Sequence, residues 1–177
     1  MRDKRKKMSA KPFDTERLRS TALRYVERYA TSRGKLEQYL RRKLRERGWE
    51  GNSEPPVAEI VEQFADLGYV NDVLYAQAKA RGLAARGYGA QRLEQSLYQA
   101  RINDEDAAPA REDFAAAEWD AARAFARKRR IGSFAGEAVS PEKRQKQLQA
   151  FLRAGHPFNV ARSFVDAPPG EEPTRPE

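Results

Sequence analysis

The feature that most constrains this chain is a pair of leucines, one helical turn apart, that occurs three times. The pairs are Leu40 with Leu44, Leu93 with Leu97, and Leu148 with Leu152, at offsets of 53 and 55 residues. Residues four apart lie on one face of an α-helix, so each pair marks an amphipathic helix. The sequence also predicts a helix before and a helix after each pair. The spacing therefore predicts three tandem three-helix units, each too small to be stable alone.

The secondary-structure signals between residues 13 and 166 are those of helices. No segment there alternates β-branched and polar residues, as a half-buried strand would. Helix starts are marked by Asp14, Ser32 and Ser140, and helix ends by Gly48 and Gly155. The predicted fold class is all-α, with three tandem three-helix repeats forming an elongated, curved array. The alternative is a single irregular helical bundle in which the leucine pairs recur by chance.

The predicted domain organisation follows these repeats and the composition of the two ends. Neither end carries enough apolar residues to offset the entropy lost on ordering it. The predicted segments are a disordered basic arm at 1–12, helical repeats at 13–70, 71–113 and 114–166, and a disordered, acidic, Pro-rich tail at 167–177.

The chain is strongly basic, with a net charge of +8 and a pI near 9.8. A basic surface favours a polyanionic partner, whether nucleic acid, anionic membrane or acidic protein, although it can also serve solubility alone. The absence of cysteine excludes a disulfide framework and a thiolate metal site. No apolar run approaches the roughly 20 residues that a membrane span needs. We therefore expect a cytoplasmic monomer without a membrane partner.

Basic and amide side chains are predicted on the outer faces of the helices that carry the leucine pairs. The nine candidate contact residues are Arg41, Arg42 and Arg45 in the first repeat, Arg86, Tyr88 and Arg92 in the middle one, and Lys143, Lys146 and Arg153 in the third. If the repeats stack in register, these residues form a positive stripe whose affinity for a polyanion falls as salt rises. The alternative is a set of ordinary solvated faces whose charges pair within the chain. Tyr88 could also stack on a base, although such aromatic residues more often fill a core or a joint between repeats.

No pattern of catalytic or metal-binding residues stands out. His156 is the only histidine, and one histidine without cysteine cannot build a zinc site. Gly87-Tyr88-Gly89 is more typical of a short connection between helices than of a phosphate-binding loop, because no predicted strand precedes it. The many carboxylates are spread over exposed faces and give no sign of a pocket. We expect no enzyme activity, no cofactor and no metal.

Several stretches of the sequence resemble the RecX family of bacterial recombination regulators. The central match is Leu67-Gly-Tyr-Val-Asn-Asp72, followed by Tyr75-Ala76 and by Arg86-Gly-Tyr-Gly-Ala-Gln-Arg-Leu93. Weaker matches are Ser32-Arg33 with Leu36 and Leu40, and Phe151-Leu-Arg-Ala-Gly-His-Pro-Phe158. The resemblance covers about residues 18–166. The chain departs from the family at Arg101-Ile102, where a glycine often ends the helix, and at Pro109 in the following helix.

The resemblance implies an array of three-helix repeats that binds the RecA recombinase filament on single-stranded DNA, within the groove of the filament. It implies restraint of filament growth and of the ATPase, strand-exchange and coprotease activities, and hence a role in regulating DNA repair and the SOS response. It implies no catalysis, no cofactor, and at most weak binding of duplex DNA. One alternative is a duplex-DNA regulator that uses a helix-turn-helix within residues 32–68 and acts without RecA. Another is an RNA- or ribosome-associated protein held only by net charge.

Overall fold

The computed structural model describes residues 11–176, which form eight α-helices and one 3₁₀ turn, with no β-strand in that range beyond an isolated bridge of Phe13 to Trp49. The helices are α1 (Thr15–Arg28), α2 (Arg33–Arg47), α3 (Val57–Asp66), α4 (Asp72–Ala85), α5 (Ala90–Gln99), α6 (Asp104–Arg129), α7 (Pro141–Ala154) and α8 (Phe158–Asp166). The 3₁₀ turn is Gly132–Phe134, between α6 and α7. The basic arm predicted at residues 1–12 lies outside the described residues except for Lys11 and Pro12.

The chain divides into two units, one ending at Asp72 and the other beginning at Val73. Each helix of the first unit contributes a buried pair of apolar side chains one turn apart. The pairs are Leu18 with Ala22 in α1, Leu36 with Leu40 in α2, and Ile60 with Phe64 in α3. This spacing aligns two side chains on one helix face, so three short helices enclose a single core.

The predicted helix starts in the first unit are confirmed by their capping hydrogen bonds. The Asp14 carboxylate accepts from the Arg17 amide at 2.8 Å, and the Ser32 hydroxyl accepts from the Lys35 amide at 3.2 Å. Gly48 ends α2 with a φ of 83°, as its position in the sequence predicts. Such caps satisfy amides that the first helical turn leaves without partners.

In the second unit, α6 belongs to two cores at once. Ala107 and Phe114 in its first half pack in a cluster with Leu93 and Leu97 of α5. Ala122 and Phe125 in its second half pack with Phe151 of α7. One helix of 26 residues thus supplies the last helix of the middle repeat and the first helix of the third. The boundary predicted between residues 113 and 114 falls inside it, since the alanine-rich run after Phe114 carries no stop signal.

The three leucine pairs are buried to different extents. Leu93 and Leu97 are both buried, whereas Leu148 and Leu152 of α7 are only partly so. Phe151 occupies the core position in α7, with its ring centroid 4.6 Å from Phe125 and 5.9 Å from Phe164. The repeat is therefore present, but its third copy turns a phenylalanine toward the core between the two leucines.

Two helices end in an arginine with left-handed backbone conformation. Arg101 follows α5 with a φ of 54°, and Arg130 follows α6 with a φ of 53°. In the second case the Ile131 amide donates to the Ala126 carbonyl at 3.0 Å, a bond typical of a Schellman turn. Glycine is usual at this position because a Cβ atom costs about 1 kcal/mol there.

Replacing Arg130 by glycine is expected to raise the free energy of unfolding by about 0.5–1 kcal/mol. The change removes the Cβ strain, and the greater freedom of glycine in the unfolded chain offsets part of the gain. The control is Lys128→Gly in the last turn of α6, where glycine should lower the free energy of unfolding. Urea unfolding followed by circular dichroism measures both. A loss of stability in both variants would contradict the prediction.

Within residues 167–176, Gly170 and Glu172 contact earlier parts of the second unit, whereas the composition predicts a disordered tail. The Gly170 amide donates to the Ser133 carbonyl at 3.0 Å, and Glu172 forms an ion pair with Arg123 of α6. Pro173 is buried. The composition of the tail could not reveal these contacts, because they depend on where α6 places its basic side chain.

Candidate nucleic-acid interface

On α2, two of the three candidate arginines have an acidic partner on their own helix. The Nε atom of Arg41 lies 2.7 Å from Glu37 Oε1, and that of Arg42 lies 3.8 Å from Glu46 Oε1. Both pairs have the i, i+4 spacing that brings side chains together on a helix. Arg45 is exposed and has no ion pair with any described residue. The positive charge of this face is therefore carried most strongly by Arg45.

On α7, the candidate lysines lie in the first two turns. Lys143 and Lys146 are exposed, and neither side chain has an ion pair within residues 11–176. The Ser140 hydroxyl caps this part of the helix by accepting from the Lys143 amide at 3.3 Å. Arg153 lies in the last turn of α7, where a cation is stabilised by the helix dipole.

Arg86, Tyr88 and Arg92 line one groove of the second unit, with a volume of about 330 Å³. The groove is completed by Leu83, Gln95, Ser96 and Gln99. The Arg86 guanidinium lies over the Tyr88 ring, 5.5 Å from its centroid, and its Nε donates to the Gly82 carbonyl at 2.9 Å. Tyr88 is 36% exposed. The groove therefore presents to solvent an aromatic ring with a cation over it.

The Arg92 guanidinium joins this groove to the end of α7. Its Nη1 donates to Gln95 Oε1 at 3.2 Å, and its Nη2 donates to the Arg153 carbonyl at 3.0 Å. None of Arg86, Arg92 and Arg153 has an ion pair with a described residue. Arg111 of α6 contrasts with them, since hydrogen bonds to Glu94 and Asp104 raise its pKa. The charge at the groove is thus left uncompensated and suits an anion.

The start of α5 and the end of α7 meet in a joint of backbone hydrogen bonds. The Gly89 amide donates to the Ala154 carbonyl at 2.9 Å, and the Gln91 amide donates to the Gly155 carbonyl at 3.1 Å. Amides without partners at a helix start thereby satisfy carbonyls without partners at a helix end. Gly89 has no room for a side chain, because a Cβ there would lie 2.2 Å from the Gly155 carbonyl.

His156 lies on the buried side of the same joint and contacts the backbone before α5. It is buried, its ring centroid lies 5.5 Å from Phe125 and 5.2 Å from Phe151, and its Nε2 lies 3.0 Å from the Gly87 carbonyl oxygen. A carbonyl only accepts, so Nε2 carries the proton and donates. Nδ1 is buried without a hydrogen-bond partner among the described residues. Burial lowers the pKa of His156, and the bond to Gly87 opposes this only in part.

The free energy of unfolding should fall in mild acid because of His156. With a lowered pKa in the folded state, the unfolded chain binds the extra proton first as pH falls below about 6.5. We expect a slope of at most about 1.4 kcal/mol per pH unit between about pH 7 and 5. Urea unfolding at a series of pH values measures this dependence, and His156→Gln should lack the part that comes from His156.

Glu118, whose pKa burial raises, changes the free energy of unfolding in the opposite direction and is common to both proteins. Parallel pH profiles would contradict the prediction.

The structure brings four of the nine candidate residues together: Arg86, Tyr88 and Arg92 at the groove, with Arg153 beside it. Lys143 and Lys146 lie at the other end of α7, and the three α2 arginines belong to the first unit. Sequence reasoning did not find the joint of Gly89 with Gly155 or the role of His156. For the joint, the only signal in the sequence was glycine at positions 89 and 155. Glycine allows a close approach of backbones but does not identify the partner.

Within residues 11–176, no group of three or more His, Asp or Glu side chains is placed to hold a metal ion. None of the helices described is both long enough and apolar enough to cross a membrane.

The fold and the groove define an all-helical protein of tandem three-helix repeats with a basic groove. Residues 71–110 match the family model described as RecX, second three-helix domain. A regulatory protein RecX of Myxococcus xanthus (strain DK1622) is 32% identical over 160 residues, which cover 86% of this chain and 86% of that protein. The chain belongs to the RecX family, and the assignment made from the sequence is confirmed.

Other relatives agree with this assignment. Regulatory protein RecX of Halorhodospira halophila (strain DSM 244 / SL1) is 28% identical over 160 residues, covering 90% of this chain and 93% of that protein. The crystal structure of RecX from Lactobacillus salivarius superposes with a TM-score of 0.67 at 20% identity, covering 85% of this chain and 94% of that one. This likeness confirms the predicted all-α fold of three-helix repeats. The relatives carry the name of regulatory proteins and not of enzymes.

Proposed function

We propose that this chain binds the filament that RecA forms on single-stranded DNA and restrains its growth. The effect extends to the ATPase, strand-exchange and coprotease activities of the filament, and so to DNA repair. Membership of the RecX family, shared over 86% of the chain with a curated relative, is the observation that carries the proposal. The protein acts in the cytoplasm by binding alone, without catalysis or cofactor.

The charge distribution supports a partner that contains nucleic acid. The uncompensated cations at Arg86, Arg92 and Arg153 suit phosphate groups, and similar exposed cations occur at Arg45 and Lys143. Such contacts release counterions, so affinity should fall as salt rises. A bound protein that occupies the groove of a growing filament blocks the addition of further subunits. Few bound copies per filament then suffice to limit it.

The test is RecA-dependent ATP hydrolysis on single-stranded DNA, titrated with this protein. We expect inhibition at a small fraction of the RecA concentration. This result would show that the protein acts on filaments. Inhibition only at concentrations that coat the DNA, or none at all, would overturn the proposal. A sequence-specific footprint on duplex DNA without RecA would instead favour the helix-turn-helix alternative.

Reversing the charge of two α2 residues tests the proposed face in the first unit. Arg41→Glu with Arg45→Glu is expected to weaken filament binding by about tenfold or more and to flatten its salt dependence. The matched control is Arg19→Glu with Arg24→Glu on α1, two exposed arginines outside the proposed face that give the same change in net charge. Fluorescence anisotropy with labelled filaments at several salt concentrations measures both. Equal affinities for the two double variants would remove α2 from the interface.

A further inference from the structure

We propose that the groove at Tyr88 binds one unpaired nucleotide of a single-stranded nucleic acid. The base lies against the Tyr88 ring, and the phosphate lies at the guanidinium groups of Arg86 and Arg92. This inference rests on the proposed function and deepens it, since it names the chemistry of the partner that enters this groove.

The size and lining of the groove fit one nucleotide. Its volume of about 330 Å³ is at the lower end of the range of small-molecule sites. The lining has a planar aromatic side chain, two guanidinium groups, and three groups able to hydrogen-bond a base edge. Those three groups belong to Gln95, Ser96 and Gln99. Flat π-surface, positive charge and amide donors are the three elements that single-strand sites combine.

The positive charge of the groove is available to a phosphate. Arg92 commits Nη1 to Gln95 and Nη2 to the Arg153 carbonyl. An arginine has five N–H donors, so further donors of this guanidinium remain for an anion. Arg86 spends its Nε on the Gly82 carbonyl, which leaves its terminal nitrogens over the Tyr88 ring. Neither charge is neutralised by an acid within residues 11–176.

The Tyr88 ring favours a single strand over a duplex. A base within a duplex has both faces covered by its neighbours and cannot offer one to a side chain. An unpaired base can stack on an aromatic ring or on a guanidinium plane, whatever its identity. The site therefore predicts binding with little sequence preference.

Contacts with α7 and His156 hold the backbone and the Arg92 side chain of the groove in place. The joint of α5 with α7 holds the backbone at Gly89 and Gln91, and the Arg153 carbonyl holds the Arg92 side chain. His156 binds the carbonyl of Gly87, the residue before Tyr88. A site whose groups are already in place loses less entropy when its ligand binds.

The experiment is anisotropy titration of a fluorescein-labelled oligothymidylate with the full chain, without RecA, at a series of salt concentrations. Tyr88→Leu, which keeps apolar bulk, should weaken binding by about tenfold and leave the salt slope unchanged. Arg86→Gln should weaken binding and reduce the slope of log K against log salt by about 0.7. Arg86 is chosen over Arg92 because it contacts Gly82 of α4 and the Tyr88 ring and takes no part in the joint, which therefore stays intact.

Two variants outside the groove are matched controls. Tyr98→Leu removes a tyrosine that is 85% exposed on α5 but does not line the groove. Arg81→Gln removes one exposed charge on α4, also outside the lining. Both should change binding by less than about twofold. Unfolding curves for each variant show that a loss of affinity is not a loss of fold.

The outcomes separate this inference from the proposed function. If Tyr88→Leu binds the oligothymidylate as wild type does, or if Arg86→Gln matches Arg81→Gln, the inference is overturned. Equal dependence on Tyr88 for a duplex of the same length would overturn the choice of a single strand. Inhibition of RecA hydrolysis by the wild-type chain would still uphold the function in those cases. Loss of oligothymidylate binding in Tyr88→Leu, without any effect of wild type on RecA, would uphold the groove and overturn the function.

Discussion

Replacing Gly89 by alanine is expected to lower the free energy of unfolding by more than about 3 kcal/mol. The added Cβ would lie 2.2 Å from both the carbon and the oxygen of the Gly155 carbonyl. The neighbour is backbone, so a rotamer change cannot relieve the clash. Moving α5 away would break the hydrogen bonds from Gly89 to Ala154 and from Gln91 to Gly155. Urea unfolding followed by circular dichroism measures the loss.

Gly82→Ala is the matched control for this change. Gly82 lies within α4, and a Cβ there would meet nothing within 4 Å apart from its own helix and chain neighbours. Alanine is the better helix former, so this variant should gain up to about 1 kcal/mol. The same substitution should thus have opposite signs at two glycines seven residues apart. A Gly89→Ala protein as stable as Gly82→Ala would show that the joint does not form.

Replacing His156 by alanine is expected to cost about 3 kcal/mol or more at a pH above 7, where the imidazole is neutral in both states. The change removes a ring packed between Phe125 and Phe151 and leaves a cavity. It also leaves the carbonyl of buried Gly87 without its donor, which adds to the loss.

His156→Phe separates packing from hydrogen bonding. It keeps an aromatic ring in the core and removes only the donor, so it should cost about 1–2 kcal/mol. The surface control is Phe158→Ala, since Phe158 is 55% exposed and should cost less. Equal losses for His156→Phe and His156→Ala would assign the whole effect to the hydrogen bond. No loss in either would refute a structural role for His156.

The helix boundaries were predictable because their causes are local. Asp14, Ser32 and Ser140 cap the following helix, and Gly155 ends α7 with a φ of 93°, each within a few residues of its own signal. At the start of α8, which follows Pro157, Val160 and Phe164 are buried and Phe158 is exposed.

The candidate site was predictable only in part. The pairing of Arg41 with Glu37 and of Arg42 with Glu46 follows from i, i+4 spacing, so sequence alone indicates which charges on α2 are partly neutralised. The groove requires a contact between residues more than 60 positions apart, Arg92 and Arg153. Local patterns carry no information about that contact. They place cations on helix faces but not beside one another.

The continuity of α6 sets the angle between the two repeats that share it. Each residue of an α-helix advances by about 100° around the axis. Inserting one residue between Phe114 and Ala122 would therefore turn the apolar face of the third repeat by about that angle relative to the middle one. Seven inserted residues, close to two full turns, would nearly restore the phase. The number of residues in α6 is thus constrained as strictly as their identity. Duplication or loss of a repeat must preserve the helical phase of α6.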